Sequence, residues 1–246
     1  MKNTEDRRRL LLISNSTLHG RGYLDHAESA IRELVGNRRN IIFIPFALFD
    51  RRAYTNQAQE RFAAMGFSLS SVHDISNMAH AIQKADVIFV GGGNTFRLVK
   101  ALHEYDLITQ IRERVLSGVP YIGSSAGAIV TGPSLRTTKD MPVVEPPSFA
   151  ALGLVPFQIS PHYLDPDPTS THMGETQEER INQFLEENEG SVVGLREGSM
   201  LNVQGGTMTL LGPHTVRVFR RGHDPLEATG DLSEFLEESA VAGCAA

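Results

Sequence analysis

Cysteine is almost absent from this chain of 246 residues: the only thiol is Cys244, close to the C-terminal end. One cysteine cannot close an internal disulfide or build a thiolate metal site, which points to a reducing, cytoplasmic compartment. Long apolar runs are missing too. No stretch approaches the ~18 consecutive apolar residues of a membrane span. Arg7-Arg8-Arg9 precedes Leu10-Leu11-Leu12-Ile13 in the manner of a secretory leader. That apolar run is too short, however, and Ser14-Asn15-Ser16 follows it without a cleavage pattern. Positive charge is in deficit, with 23 Lys and Arg against 29 Asp and Glu for a net charge of -6. Nucleic acids and anionic membranes need a concentrated basic surface, so neither is expected as a partner. There is no H-E-x-x-H or other close ligand pair, so no metal and no cofactor are expected. Repeats, low-complexity blocks and linkers are also lacking. Residues 1–246 are therefore read as one domain, with 1–8 and 231–246 peripheral.

What is present is an alternation of short apolar runs with helical periodicity, the pattern of a mostly parallel, doubly wound α/β sheet. Arg9–Ser14, Asn40–Phe46, Phe67–Val72, Asp86–Val90 and Val119–Gly123 read as strands. Ala53–Met65, Ile75–Ala85, Thr95–Glu104 and Asp106–Ser117 read as helices, with Gly36 and Gly118 as stops and Asp106 as an N-cap. A Pro-rich loop region follows Gly132, then a strand over Phe157–Ser160 and a polar helix over Gln177–Glu187. The segments Ser191–Leu195, Met200–Val203, Met208–Leu211 and Val216–Arg220, divided by Gly205-Gly206 and Gly212-Pro213, predict antiparallel strands completing the sheet.

Gly123-Ser124-Ser125-Ala126-Gly127 matches G-x-S-x-G. It sits between an apolar strand and a helix-capable segment, the context in which a sharp turn lifts a serine hydroxyl above a sheet edge. Ser125 is thus the candidate nucleophile. The Ala126 N–H, at a helix start, suits an oxyanion. A second glycine turn, Gly91-Gly92-Gly93-Asn94-Thr95-Phe96, fails the dinucleotide pattern because Phe96 stands at its last glycine position. It is better placed to supply the other half of an oxyanion hole, with Gly93 foremost. A serine nucleophile needs a base. Of nine histidines, His162 alone ends an apolar strand and opens a loop, where sites assemble in α/β sheets.

GGGNTF (Gly91–Phe96), GSSAGA (Gly123–Ala128), RTTKDMP (Arg136–Pro142), ISPHY (Ile159–Tyr163), GETQEERI (Gly174–Ile181) and GLREGSM (Gly194–Met200) resemble, in order and spacing, the peptidase E family of α-aspartyl dipeptidases. The resemblance runs from Arg9 to about Arg220. It implies a glutamine-amidotransferase-like sheet with a nucleophile elbow in which serine replaces cysteine. It also implies Ser125 as nucleophile, His162 as base, and small dipeptides with an N-terminal aspartate as substrates. For the third triad member it offers Asp140 or Glu197. The place of the Arg136–Pro142 loop just after the nucleophile helix tips the choice towards Asp140, and both stay open. The chain departs from the family at Ser124, where an aromatic residue is common, and at Gln177, where arginine is common. A buried substrate carboxylate needs a cation or several donors. Arg136, Arg180 and Gln177 are the substrate-binding candidates, with Lys139 a further cation in the loop after the nucleophile helix. Two other readings stand beside the dipeptidase: a cyanophycinase-like hydrolase of β-aspartyl-arginine polymer, and a non-catalytic ligand-binding protein on the same fold. A monomer and a homodimer are equally compatible with the sequence.

Overall fold

The computed structural model describes residues 6–171 and 173–237, so Cys244 lies outside the described residues. The strands are β1 (Arg9–Ile13), β2 (Asn40–Ile44), β3 (Ser68–Ser71), β4 (Val87–Val90), β5 (Tyr121–Ser124), β6 (Gln158–Pro161), β7 (Ser191–Leu195), β8 (Met200–Gln204), β9 (Thr207–Leu211), β10 (Val216–Arg220) and β11 (Leu226–Ala228). The helices are α1 (Glu28–Val35), α2 (Arg51–Ala64), α3 (Met78–Lys84), α4 (Thr95–Glu104), α5 (Leu107–Leu116), the single turn α6 (Ala126–Ile129), and α7 (Gln177–Glu187).

The larger sheet has the order β3-β2-β4-β5-β1-β8-β9. Its first five strands are parallel, and β8 and β9 add antiparallel pairs at one edge. Strands β4 and β5 are buried along their whole length, and β4 accordingly reads as an unbroken apolar run, whereas the edge strand β3 alternates. The β1 side chains divide between two cores. Leu11 and Ile13 pack with α1 and α2 on one face, and Leu10 and Leu12 face α3, α4 and α5 on the other.

The C-terminal strands do not all complete that sheet. Strands β7, β10 and β11 join β6 in a second sheet of order β11-β10-β7-β6, in which β6 and β7 run parallel. Ile159, Val193, Leu195, Val216 and Val218 from this sheet enter the same core as Leu10 and Leu12. Its other face, through Val192 and Phe219, packs on Ile181 and Leu185 of α7. Three further expectations are corrected. The helix expected from Ile75 begins at Met78, because Asn77 caps it by accepting from the His80 N–H, and Val72–Asp74 forms a 3₁₀ turn instead. Asp106 occupies the N-cap of α5 in a left-handed conformation, and its side chain caps nothing. Finally, within the tail the described residues 231–237 are not peripheral: Asp231 bridges to Thr209, and Leu232 and Phe235 are buried in the main core.

Candidate active site

Three neighbouring parallel strands, β4, β5 and β1, end at one edge, with Val90 opposite Gly123 and Ser124 opposite Ile13. The residues that follow these ends are Gly91, Ser125 and Ser14. Ser125 is held at φ 50° and ψ -108°, a backbone conformation costly for a side-chain-bearing residue. Its N–H donates to the Ile13 carbonyl at 2.9 Å, and its carbonyl accepts from Ala128 and Ile129 at 2.8 and 3.0 Å. The turn is possible only with minimal side chains around it. A Cβ on Gly127 would collide with the Val90 carbonyl oxygen, and one on Gly92 would come within 3.0 Å of the Ser125 Cβ. The glycine turn after β4 is therefore pressed against the serine, as its spacing predicts. Neither the Gly93 nor the Ala126 N–H has an acceptor among the described residues. Both belong to the segments flanking the Ser125 side chain.

The second sheet delivers the partners. Pro161 and Leu195 are paired at the ends of β6 and β7, so His162 and the Arg196-Glu197 turn emerge side by side. The Ser125 Oγ lies 3.0 Å from His162 Nε2, and His162 Nδ1 lies 2.7 Å from Glu197 Oε1. His162, like Ser125, has a left-handed backbone, with φ 51°. Its N–H donates to the Ser14 Oγ at 2.9 Å, and its carbonyl accepts from Lys139 Nζ and Gln177 Nε2, each at 3.1 Å. Ser14 is fully buried and its hydroxyl donates to the Leu195 carbonyl at 2.8 Å, so one hydroxyl joins the ends of β1, β6 and β7. The Glu197 turn is fixed by Asn15, whose Oδ1 accepts from the Gly198 N–H at 2.8 Å.

The two candidate carboxylates are thereby separated. Glu197 meets the histidine. Asp140 does not: its Oδ2 accepts from the Thr95 N–H at 2.7 Å, the Thr95 hydroxyl at 2.6 Å and the Thr138 hydroxyl at 3.0 Å. Asp140 thus anchors its loop to the start of α4, directly behind the glycine turn. The Gln177 Oε1 accepts from the Leu164 N–H at 3.1 Å, while its Nε2 donates to the His162 carbonyl. Both ends of the amide brace the loop after β6. Arg136, Lys139, Gln177 and Arg180 line a cavity of about 170 Å³, together with Asp140, Ser160 and Phe184. A capping box at Thr176 and Glu179 fixes the start of α7, from which Gln177 and Arg180 project.

Arg196 went unnoticed in the sequence. Its guanidinium takes Asp165 in two bonds of 2.9 and 2.6 Å and Glu227 in two of 2.9 Å, and also bonds the Thr215 carbonyl at 2.9 Å. It ties the loop that carries His162 to the turn that carries Glu197. These bonds from Arg196 hold the Glu227 carboxyl down at about 2. No local pattern marks such a residue, since its partners are spread over more than sixty positions. Ser14 left a faint signal: a polar residue directly after a fully apolar strand, at the sheet edge where sites assemble.

Known proteins give this geometry its context. The model of peptidase family S51 matches residues 10–211. A Streptomyces coelicolor protein named "Peptidase E" is 52% identical over 230 residues, covering 93% of this chain and 95% of that protein. A Drosophila melanogaster protein named "Probable alpha-aspartyl dipeptidase" is 44% identical over 236 residues, covering 94% of this chain and 98% of its own length. The crystal structure of a peptidase from an acI-B1 Actinobacterium is similar in fold, with a TM-score of 0.64 at 16% identity over 92% of this chain and 96% of that one.

Proposed function

Because the chain belongs to peptidase family S51 and is a serine-type peptidase, we propose that it hydrolyses dipeptides with an N-terminal aspartate through Ser125, His162 and Glu197. The observation that carries the reading is the unbroken chain from Ser125 Oγ to His162 Nε2 at 3.0 Å and from His162 Nδ1 to Glu197 Oε1 at 2.7 Å. Ser125 attacks the scissile carbonyl as His162 accepts the hydroxyl proton on Nε2. The tetrahedral oxyanion is held by the N–H groups of Gly93 and Ala126. When the intermediate collapses, His162 returns the proton to the leaving amine, and the aspartyl group stays esterified to Ser125. Water, deprotonated by His162, then attacks the ester, and His162 returns that proton to the Ser125 Oγ as aspartate leaves. Glu197 keeps the Nδ1 proton in place and stabilises the imidazolium that forms twice per turnover.

The substrate class is supported by the name of the Drosophila relative and by the charge of the adjoining cavity. Arg136, Lys139 and Arg180 line it, and three cations favour an acidic side chain over the arginine that a cyanophycinase-like substrate would bring. We take the enzyme to work in the cytoplasm, as a monomer or homodimer, on small peptides, with no nucleic-acid or membrane partner. The test is hydrolysis of Asp-Leu by wild type and by Ser125→Ala. The variant is expected to lose several orders of magnitude in kcat at nearly unchanged stability, and His162→Ala combined with it to be little worse than either alone. Retention of more than about a tenth of wild-type kcat by Ser125→Ala would place the nucleophile elsewhere.

A further inference from the structure

If the substrate is an aspartyl dipeptide, its side-chain carboxylate needs one partner above the others, and the four polar residues of the cavity wall are not equally free to serve. Arg136 carries its guanidinium 5.1 Å above the Phe149 ring. Arg180 is drawn towards Glu175, with 3.5 Å between Nε and Oε2, and more than half of each side chain is in water. Gln177 spends both ends of its amide on the backbone of His162 and Leu164. Lys139 differs from all three. Its ammonium makes one bond, to the His162 carbonyl at 3.1 Å, and among the described residues it has no ion-pair partner. The carboxylate next to it in sequence, Asp140, has its Oδ2 taken by Thr95 and Thr138.

We infer that Lys139 is the residue that recognises the substrate's side-chain carboxylate. An ammonium has three N–H groups, and the bond to His162 leaves two of them for an incoming anion. A carboxylate bound there forms an ion pair as well as hydrogen bonds, whereas an amide oxygen could only accept from the ammonium without the opposite charge. It is also tethered to the backbone of the same histidine that touches Ser125. The position thus couples recognition of the side chain to the reacting centre through one residue.

The electrostatics agree with a cation awaiting an anion. Lys139 is exposed as a residue, and partial desolvation at its ammonium pulls its pKa down to about 8. The field of Arg180 acts in the same direction, and those of Asp140 and Glu197 oppose it. His162, Arg136 and Gln177 complete its surroundings. A carboxylate arriving at the ammonium would favour the charged form. In the free enzyme the cation is present below about 8 and is lost as pH rises through that value.

The inference rests on the aspartyl-dipeptidase reading, and the experiment separates the two. Wild type, Lys139→Met and Lys139→Arg are compared on Asp-Leu and Asn-Leu, the latter followed as substrate and as competing inhibitor. Lys139→Met is expected to lower kcat/KM for Asp-Leu by ~10²-fold, mostly through KM, and to change the handling of Asn-Leu by less than ~3-fold. Lys139→Arg should keep most of the preference for Asp-Leu. The substrate's own amine titrates identically with both enzymes, so the ratio of wild type to Lys139→Arg isolates the lysine. That ratio should fall as pH rises past about 8. Equal losses on both substrates in Lys139→Met would reduce Lys139 to a brace for His162, and an unchanged preference would remove it from recognition altogether. A wild type that fails to cleave Asp-Leu would overturn the substrate reading and Lys139's role together.

Discussion

Ser125 and His162 share a property with only Leu24 and Asp106 among the non-glycine residues described: a left-handed backbone. Each such conformation costs of the order of 1–3 kcal/mol and persists only where surrounding bonds over-determine it. For His162 those bonds are the Ser14 hydroxyl on one side and Lys139 and Gln177 on the other. Ser14→Ala leaves the His162 N–H without its acceptor. We expect kcat to fall about 10-fold with little change in KM, and urea stability to fall by about 1–3 kcal/mol. An unchanged kcat would mean that Ser14 positions nothing. The carboxylates give a sharper contrast. Glu197→Gln puts an amide, whose NH2 can donate to Nδ1, in place of a group that only accepts, and should lower kcat by up to ~10⁴-fold through the wrong tautomer. Asp140→Asn should act more weakly on kcat, because its carboxylate holds the α4 start and the Arg136–Pro142 loop rather than the histidine. Equal, mild effects from both would reject a carboxylate-dependent triad.

At the scale of elements, the site is a meeting of strand ends from two sheets, and this decides how much of it the sequence could disclose. Ser125 is legible because its determinants are local: an apolar strand, a glycine on either side, and a helix start within ten residues. His162 is legible for the same reason, standing where β6 stops. The choice between Asp140 and Glu197 is not local. It depends on β6 pairing with β7 so that Pro161 faces Leu195, and nothing in either loop's composition announces that pairing. Arg196 shows the same limit, since Asp165, Thr215 and Glu227 come from three separate segments. Its network also sets a pH dependence. The folded Glu227 pKa of about 2 lies below its ordinary 4.5. The carboxylate therefore stabilises the fold above about 4.5, and the contribution is lost as pH falls towards about 2. The group is partly in water, so the effect is screened and modest. In urea titrations, wild type should exceed Glu227→Gln in stability at neutral pH, and the gap should close between about pH 4.5 and pH 2. A gap constant across that range would show that the Arg196 bond does not depress the carboxyl.

For the molecule as a whole, the parallel half of the larger sheet was legible in the alternation of apolar runs and helices, whereas the second sheet was not. Short strands separated by turns are compatible with joining either sheet, and only long-range packing of Ile159, Val193 and Val218 against the main core decides the matter. The described part of the acidic tail, residues 231–237, is hard to read from sequence for a related reason. Asp231, Glu234 and Glu237 set its average polarity, yet Leu232 and Phe235 face inward from a 3₁₀ turn. The turn is also hydrogen-bonded to β9: the Leu232 N–H donates to the Met208 carbonyl at 2.7 Å, and the Met208 N–H donates to the Ser233 Oγ at 3.0 Å. Phe235 packs in the same core as Leu10, Val203 and Met208, on the antiparallel side of the sheet and away from the strand ends that form the site. Phe235→Ala should therefore leave a cavity that the surrounding strands cannot close, costing about 3–5 kcal/mol in urea unfolding. The folded fraction should still cleave Asp-Leu at 25 °C with wild-type kcat/KM. A cost below about 1 kcal/mol would return the tail to the periphery. A selective loss of kcat in fully folded protein would mean that the core beneath β8 and β9 controls the strand ends that carry Ser14 and Glu197.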